Sequence, residues 1–282
     1  MLHSPPTVLT IAGFDPSAGA GITADIKTIA AHGCYGVAVI TALTVQSTRG
    51  VRRVEPVDPG LVWESLEELT GDVKVSAVHV GMLGSAPVAL TVAEFLGKAC
   101  LPNVVLDPVL RSSSGAELLD DAGMGVLRER LLSLASVITP NTEEAAALIG
   151  KSAAEVATIE EMKKVAWQLH GMGAKRVVVT GGHLQKTTDL LSLGDAGTQT
   201  FKADRLNLDN THGTGCAFST AIACQLAQGR ALEEAVLLAK AFVTAAIGNG
   251  YAVGNGPGPV NHMYRMKNHP GGFSKKLASG KG

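Results

Sequence analysis

The sequence is poor in cysteine and aromatic residues, and it has no excess of charge of either sign. Aromatic residues make up 4% of the chain, and Lys and Arg number 24 against 25 Asp and Glu. Balanced charge argues against a basic surface for nucleic acid or anionic lipid, so we expect any bound anion to be held by local groups. The cysteines form no CxxC pair and no dense framework, which argues against a cysteine-ligated metal and favours the reducing cytoplasm. They are Cys34, Cys100, Cys216 and Cys224.

Long hydrophobic runs are also missing. The longest apolar stretch, GVAVITALTV at 36–45, is too short to cross a bilayer. The first residues, MLHSPPTVLTIAG, lack the basic start and apolar core of a secretory signal. We therefore expect neither membrane insertion nor secretion. Hydrophobic residues nevertheless make up 46% of the 282 residues, which is enough for a large buried core.

Runs rich in Val and Ile alternate with segments of helical periodicity along most of the chain. This alternation is typical of an α/β fold, in which crossover helices join parallel strands. The strands hardly alternate between apolar and polar residues, which predicts a sheet buried on both faces. Strands are predicted at 7–13, 36–45, 76–83, 103–110, 136–140 and 175–182, and helices near 22–29, 60–70, 86–99, 121–135, 142–150, 159–172, 214–228 and 231–248.

The segment TDLLSLGDAGTQTFKAD at 188–204 alternates more strictly than the other strands. It predicts an antiparallel hairpin at a sheet edge, turning between Gly194 and Gly197. No internal repeat or low-complexity linker divides the chain. We therefore expect one domain over residues 1–264, followed by a polar tail over residues 265–282.

A glycine-rich segment, HGTGC at 212–216, precedes one of the last helices. Gly213, Thr214, Gly215 and Cys216 stand where a helix begins, and the free N–H groups and partial positive charge of a helix start favour an anion. A structural interpretation is equally open at this point. In it, Thr211 or Thr214 caps the helix, the glycines turn the chain and Cys216 fills the core.

A second glycine-rich segment, AGFDPSAGAGITAD at 12–25, also joins a strand to a helix. Gly19, Gly21 and Ala24 match the GxGxxA of dinucleotide-binding units. Such units carry an acidic residue after the next strand to hold a ribose, and none stands near Gln46. The segment therefore favours a pocket for another small molecule over a nicotinamide site.

Four further positions have both a chemical and a structural interpretation. Asp107 follows a strand, either as a ligand-binding carboxylate or as part of an Asp-Pro turn. Glu144 lies three residues after Asn141, which suits a capping box and also a carboxylate for hydrated Mg²⁺. Thr180 and the glycines 181–182 end a strand, where they either meet phosphates or form a turn. Lys240 interrupts an apolar helix, so it either reaches solvent or faces an anion.

Taken in this order, the segments closely resemble the hydroxymethylpyrimidine and phosphomethylpyrimidine kinases of thiamine synthesis, within the ribokinase-like superfamily. The resemblance covers roughly residues 7–262. Its motifs are TIAGFDPSAGAGITADIKT, VITALTVQST, VGML, VVLDPVL, VITPNTEEA, VTGGHL, NTHGTGCAFSTAIA and GPGPVNH. It implies a three-layer sandwich with a mainly parallel central sheet between helices. It also implies a homo-oligomer, most simply a dimer.

The resemblance implies two consecutive phosphoryl transfers, from ATP to the pyrimidine and then to its monophosphate. The residues implied for the pyrimidine are Gly13, Ala20, Asp25, Gln46 and Met82. Those implied for catalysis are Gly213, Gly215, Cys216 and Lys240, and those for ATP are Asp107, Asn141, Thr180, Gly182 and Thr214. Magnesium would be held by Glu144 and Asp107 through water.

Cys216 stands where sugar kinases of this superfamily have an aspartate. We interpret the cysteine as a compromise, because a neutral thiol does not repel the phosphate of the second substrate while the helix start lowers its pKa. Two rival functions stay open. A pyridoxal-type kinase would stop after one phosphate, and a pyrimidine- or nucleotide-binding sensor would show no turnover.

Overall fold

Nine strands form one sheet in the computed structural model, which describes residues 4–182, 187–204, 206 and 211–266. Each predicted strand is present. The predicted tail lies outside the described residues from position 267 onward. In chain order the strands are β1 (Thr7–Phe14), β2 (Tyr35–Ser47), β3 (Gly50–Pro56), β4 (Val75–Val80), β5 (Val104–Leu106), β6 (Val137–Ile138), β7 (Val177–Val179), β8 (Thr187–Ser192) and β9 (Thr198–Ala203).

The sheet is mainly parallel, as the sequence predicts. The strand order is β3-β2-β1-β4-β5-β6-β7-β8-β9. The six strands from β2 to β7 in this order are parallel to one another, whereas β3 at one edge and the β8–β9 hairpin at the other are antiparallel. The predicted hairpin is confirmed, and Gly194 and Gly197 adopt positive φ angles in its turn.

The edge strand β3 is not predicted by the sequence. The predicted second strand ends at residue 45, but β2 continues to Ser47 and the chain returns as β3. The segment GVRRVEP of β3 is charged and largely exposed, so it lacks the apolar pattern of the central strands. As a consequence, Gln46 lies within a strand pair beside the carboxyl end of the parallel sheet.

The helices occupy the predicted positions, with one irregularity. The single helix expected over 121–135 contains a π-helical turn, Leu127–Leu131, between two α-helical segments. In chain order the α-helices are α1 (Gly21–Ala31), α2 (Pro59–Asp72), α3 (Ala86–Ala99), α4 (Asp121–Val126), α5 (Leu132–Leu134), α6 (Thr142–Leu148), α7 (Ile159–Gly171), α8 (Thr214–Ala227) and α9 (Leu232–Gly248). Among the described residues, no helix is long and apolar enough to cross a bilayer.

Two layers of helices enclose the sheet, because its strands are apolar on both faces. In β5, Val104 and Leu106 point into a core shared with α2 to α7, whereas Val105 points into a second core shared with α1, α8 and α9. The predicted three-layer sandwich is therefore confirmed. The parallel strands end at one edge of the sheet, and both α1 and α8 begin at that edge.

Candidate active site

Two glycine-rich loops meet at the carboxyl edge of the sheet. We call residues 15–20, before α1, the first glycine loop, and residues 211–216, which include the start of α8, the second glycine loop. Gly213 has a φ angle of +81°, and a Cβ atom there would lie 1.8 Å from the carbonyl oxygen of Gly19. A Cβ atom on Gly19 would lie 2.2 Å from Cδ2 of His212. Gly213 is thus required because it touches the backbone of the first loop, and Gly19 because it packs against the ring of His212.

The carboxylate of Asp15 organises the first glycine loop. Its Oδ1 accepts hydrogen bonds from the backbone and the hydroxyl of Ser17, both at 2.7 Å. Its Oδ2 accepts from the amides of Gly19 and Ala20, at 3.2 and 3.0 Å, and lies 3.0 Å from Nε2 of His212. Burial alone would raise the pKa of Asp15, but the bonds from His212, Ser17 and Ala20 outweigh it and lower the pKa. The donors of this loop are therefore occupied by the chain's own carboxylate, including the predicted backbone donor of Ala20.

The second glycine loop leaves its donors free. Within the described part of the chain, the amide N–H groups of Gly215 and Cys216 have no hydrogen-bond acceptor, and the N-cap of α8 is Gly213 without a capping side chain. The interpretation of a threonine cap is wrong, because the Thr214 hydroxyl instead donates to the carbonyl of Thr211 at 2.7 Å. The first turn of α8 therefore has the free amides and the dipole that hold an anion.

The thiol of Cys216 differs from its predicted state. Burial raises its pKa well above the ordinary value of 9.0, and the charges of Asp107, Asp25 and Glu144 raise it further. A hydrogen bond from the backbone of Gly21 acts in the opposite direction but is outweighed. The expectation that the helix start lowers this pKa is therefore wrong, since three carboxylates surround the same point. The thiol is protonated and uncharged at neutral pH.

Asp107 and Glu144 form a pair of carboxylates beside the second glycine loop. Burial raises the pKa of Asp107 to about 6, with Asp25 adding to the shift and His79 opposing it. The pKa of Glu144 is raised well above 4.5 by burial and by the charge of Asp107. A Cβ atom on Gly215 would lie 3.9 Å from Oδ2 of Asp107, so Asp107 lies beside the first turn of α8.

The structural interpretation of Glu144 is confirmed. Its Oε2 accepts from the backbone of Asn141 at 2.9 Å, and its own backbone N–H donates to Oδ1 of Asn141 at 2.8 Å, which completes a capping box on α6. No group of three or more His, Cys, Asp or Glu side chains that could hold a metal occurs among the described residues. The carboxylate pair still fits Mg²⁺, because that ion commonly takes one or two carboxylates and keeps its waters.

Asp25 is buried beneath the site and does not form part of its surface. Its side chain is fully buried, with Oδ2 accepting from Thr10 at 2.7 Å and Oδ1 accepting from Thr220 at 2.8 Å. The ring of His79 lies 3.3 Å away, and its pKa is raised because Asp25 and Asp107 together outweigh the effect of burial. The Asp25 side chain is therefore not exposed in this structure, and its contact with a pyrimidine stays a prediction.

Lys240 is paired within the protein. Its Nζ donates to Oδ2 of Asp189 at 2.7 Å, and Oδ1 of Asp189 accepts from the backbone of Gly181 at 3.2 Å. Of the two interpretations, the lysine does face an anion, but that anion is Asp189 from β8. The catalytic role of Lys240 stays a prediction, and in this structure its ammonium group is held by Asp189, which also binds the chain that follows β7.

The remaining residues predicted to bind ATP lie at the ends of β6 and β7. Thr180 bridges to Asn141, and its backbone N–H donates to the carbonyl of Pro140 at 2.9 Å. Gly182 is exposed and directly precedes residues 183–186, which lie outside the described residues. The structure thus brings Thr180 and Asn141 together on the same edge as Asp107.

Two of the residues predicted to hold a pyrimidine, Gly13 and Met82, are in close contact. A Cβ atom on Gly13 would lie 2.7 Å from Sδ of Met82, so only glycine lets this side chain cover the end of β1. Gln46 is half-buried and lies 3.4 Å from the ring of His212. His212 was not assigned a role of its own from the sequence, since nothing in HGTGC shows that its ring reaches Asp15 and Gln46.

Comparison with known proteins gives consistent findings. The model of the phosphomethylpyrimidine kinase family matches residues 15–261. A hydroxymethylpyrimidine/phosphomethylpyrimidine kinase of Escherichia coli (strain K12) is 42% identical over 260 residues, which cover 91% of this chain and 97% of the relative. The thiamine biosynthesis bifunctional protein ThiED of Geobacter sulfurreducens is 44% identical over 259 residues. That match covers 91% of this chain but 52% of ThiED, so the chain spans about half of that relative.

A solved structure is also similar over nearly the whole chain. The ADP complex of a pyridoxal kinase from Bacillus subtilis superimposes with a TM-score of 0.85 at 34% identity. The superposition covers 94% of this chain and 100% of that kinase. The likeness therefore extends to the sheet, both helical layers and the edge at which the two glycine loops meet.

Proposed function

Because the chain belongs to the phosphomethylpyrimidine kinase family, we propose that it transfers phosphoryl groups from ATP in thiamine biosynthesis. The first acceptor is the hydroxymethyl group of 4-amino-5-hydroxymethyl-2-methylpyrimidine, and the second is the resulting monophosphate, which becomes the diphosphate. The observation that carries this proposal is the pair of free amides at Gly215 and Cys216, with the carboxylate of Asp107 beside the same helix turn. Such a cradle suits a phosphoryl group in transfer.

The free amides supply the electrostatic part of the chemistry. During transfer, negative charge spreads over the oxygens of the phosphoryl group, and fixed N–H donors at a helix start stabilise that charge without having to reorient. In this role the N–H groups of Gly215 and Cys216 bind the group in transfer, and Gly213 holds the loop in place. The contact between Gly213 and Gly19 keeps this geometry rigid.

The neutral thiol of Cys216 suits a substrate that is already phosphorylated. A carboxylate at the same position would add to the negative charge of Asp107 and Glu144, which already raises the pKa of the thiol. An uncharged group adds no repulsion toward the monophosphate. We therefore assign Cys216 to contact with the reacting oxygen as a neutral group and not as a thiolate base.

The carboxylate pair is proposed to serve the ATP end of the site. Asp107 and Glu144 would hold Mg²⁺, in part through water, because a divalent cation neutralises two buried carboxylates whose pKa values are both raised. When bound, the ion neutralises charge on the phosphates of ATP. Thr180, Asn141 and Gly182 are proposed to line the same end.

Gly13, Met82 and Gln46 are proposed to hold the pyrimidine ring. The Met82 side chain covers the end of β1 and provides an apolar contact, while the amide of Gln46 both donates and accepts hydrogen bonds. An aminopyrimidine edge offers one donor and one acceptor, so it matches an amide.

Assembly and location complete the proposal. We propose a single domain over residues 1–264 that forms a homodimer in the cytoplasm. The exposed apolar side chains of Leu43 and Val45, at 48% and 52%, support an interface on β2. Balanced charge and the absence of a cysteine framework in the sequence support the cytoplasm.

A time course with ATP, Mg²⁺ and the hydroxymethylpyrimidine tests the function, with the products identified by mass. We expect the monophosphate to appear first and the diphosphate to follow at its expense. A parallel incubation with pyridoxal tests the second candidate, which the likeness to a pyridoxal kinase favours. Formation of pyridoxal phosphate alone would establish that candidate instead. Absence of any ATP-dependent product would contradict both.

A further inference from the structure

The amide of Gln46 has two ends that are nearly alike in shape, so the groups around it decide which end is oxygen. In the structure, the Oε1 end lies 3.1 Å from Oγ1 of Thr44. The other end lies 3.4 Å from Nε2 of His212. Each neighbour also has a second partner, and these partners fix where the hydrogens are.

The end beside His212 must be an acceptor. Nε2 of His212 lies 3.0 Å from Oδ2 of Asp15. Asp15 has a lowered pKa, so it is ionised at neutral pH and can only accept. Nε2 therefore carries a hydrogen, and Nδ1 lies 3.4 Å from the hydroxyl of Ser113. The hydrogen on Nε2 is directed to Asp15, the nearer acceptor; an amide NH₂ at 3.4 Å would repel it, whereas an amide oxygen accepts a weaker, shared hydrogen bond from it.

The end beside Thr44 must be a donor. The Thr44 hydroxyl has a single hydrogen, and the carbonyl oxygen of Phe14, which can only accept, lies 3.0 Å from it. With its hydrogen directed to Phe14, Oγ1 of Thr44 has lone pairs left to accept from the Gln46 NH₂. Both ends of the amide thus lead to the same orientation, in which the oxygen and the nitrogen exchange the positions that they have in the structure.

We propose that Thr44 and the His212–Asp15 pair fix the Gln46 amide with its oxygen toward His212, and that this fixed order of donor and acceptor selects the ligand. The proposal rests on the proposed function, in which Gln46 meets the pyrimidine. One N–H and one oxygen lone pair of the amide are left for the ligand. A fixed amide accepts only one order of donor and acceptor along the ring edge, whereas a freely turning amide accepts either order.

The 4-oxo analogue of the pyrimidine makes a suitable probe. The 4-amino compound presents an amino donor beside a ring-nitrogen acceptor, whereas the 4-oxo compound presents a carbonyl acceptor beside a ring N–H donor. The two have nearly the same shape and the same hydroxymethyl group. Discrimination between them therefore reports the order of hydrogen-bonding groups and not the size of the pocket.

Calorimetric binding of both compounds would be compared among the wild type, Thr44→Val, Thr44→Ser and Gln46→Leu. We expect the wild type to bind the amino compound at least about 100-fold more tightly, because the oxo compound opposes donor to donor and acceptor to acceptor. Thr44→Val should narrow this ratio about tenfold, since one anchor of the amide is lost. Thr44→Ser keeps the hydroxyl and should restore the ratio, and Gln46→Leu should abolish the preference.

An unchanged ratio in Thr44→Val, in a variant whose thermal melt shows that it folds, would overturn this inference. A wild type that binds both compounds equally would overturn it as well. Either result leaves the proposed function intact if the amino compound is still converted to its diphosphate. Conversely, if no phosphorylated product forms but the binding ratio behaves as described, the proposed function fails and the fixed amide stands.

Discussion

The two glycine loops look alike in the sequence, but only the amides of the first are paired with a carboxylate of the chain. In the first, the carboxylate of Asp15 accepts from the amides of Gly19 and Ala20, so the chain fills its own anion site. In the second, the amides of Gly215 and Cys216 have no acceptor among the described residues. A glycine-rich turn before a helix therefore indicates a ligand site only where the chain does not supply a carboxylate of its own.

The largest expected effect comes from breaking the contact between the loops. Gly213→Ala would place a methyl group 1.8 Å from the carbonyl oxygen of Gly19, at a φ of +81°. We expect a loss of at least about 4 kcal/mol in the free energy of unfolding, because backbone must move and the φ angle is strained as well. Urea denaturation would measure it.

Gly229→Ala is the matched control for this substitution. Gly229 also has a φ of +81°, but nothing lies within 4 Å of the added methyl group. It should cost only about 1–2 kcal/mol, which is the strain of the left-handed conformation alone. Equal losses in the two variants would show that contact between the loops contributes nothing.

A second substitution removes the anion of the first glycine loop. Asp15→Ala leaves the amides of Gly19 and Ala20 without an acceptor, and we expect a loss of about 3 kcal/mol in the free energy of unfolding at pH 7. Asp58→Ala, which removes one capping bond to Leu61 on α2, should cost about 1 kcal/mol.

The stabilisation of the fold by the Asp15 carboxylate should depend on pH. The pKa of Asp15 is lower in the folded protein than its ordinary value of 3.8. The carboxylate therefore stabilises the fold fully above about pH 5 and loses this effect as the pH falls through the folded pKa. The difference in unfolding free energy between wild type and Asp15→Ala should shrink in acid. A difference that grows in acid would contradict the assignment.

A third substitution places a carboxylate in the second glycine loop. Cys216→Asp should slow the second transfer about 100-fold and the first about tenfold, because the monophosphate is repelled by a fixed charge. Cys216→Ala removes an uncharged group and should slow both transfers to a similar extent. Single-turnover assays that start from each acceptor would separate the steps. A stronger effect of Cys216→Asp on the first transfer would argue that the residue does not face the phosphate.

The smallest expected effect comes from filling the open space of the second glycine loop. The methyl group of Gly215→Ala would lie 3.9 Å from Oδ2 of Asp107. Stability should stay within about 1 kcal/mol of wild type, since alanine favours a helix. Activity should fall about tenfold as the methyl group crowds the bound phosphoryl group. Full activity in this variant would place the phosphate elsewhere.

The fold was predictable because its signals are local. Val- and Ile-rich runs predicted the parallel strands, and strict alternation predicted the β8–β9 hairpin. The edge strand β3 was missed because its charged sequence has no such pattern, and its turn lacks the usual Asn-Gly or Gly-Gly signal.

The site was predictable only where its chemistry depends on neighbours in sequence. The segment HGTGC predicted the anion cradle of α8, since the free amides of a helix start are a local property. The pairing of Lys240 with Asp189 joins residues 51 positions apart, and the raised pKa of Cys216 comes from carboxylates on other elements. No spacing along the chain shows such partners.

The contact between Gly213 and the carbonyl oxygen of Gly19 also bears on efforts to redesign this scaffold. Libraries that diversify one glycine loop while keeping the other would consist mostly of nonfunctional clones, because no side chain fits between the two main chains. We expect loop sequences from another protein to be tolerated only when both loops are replaced together.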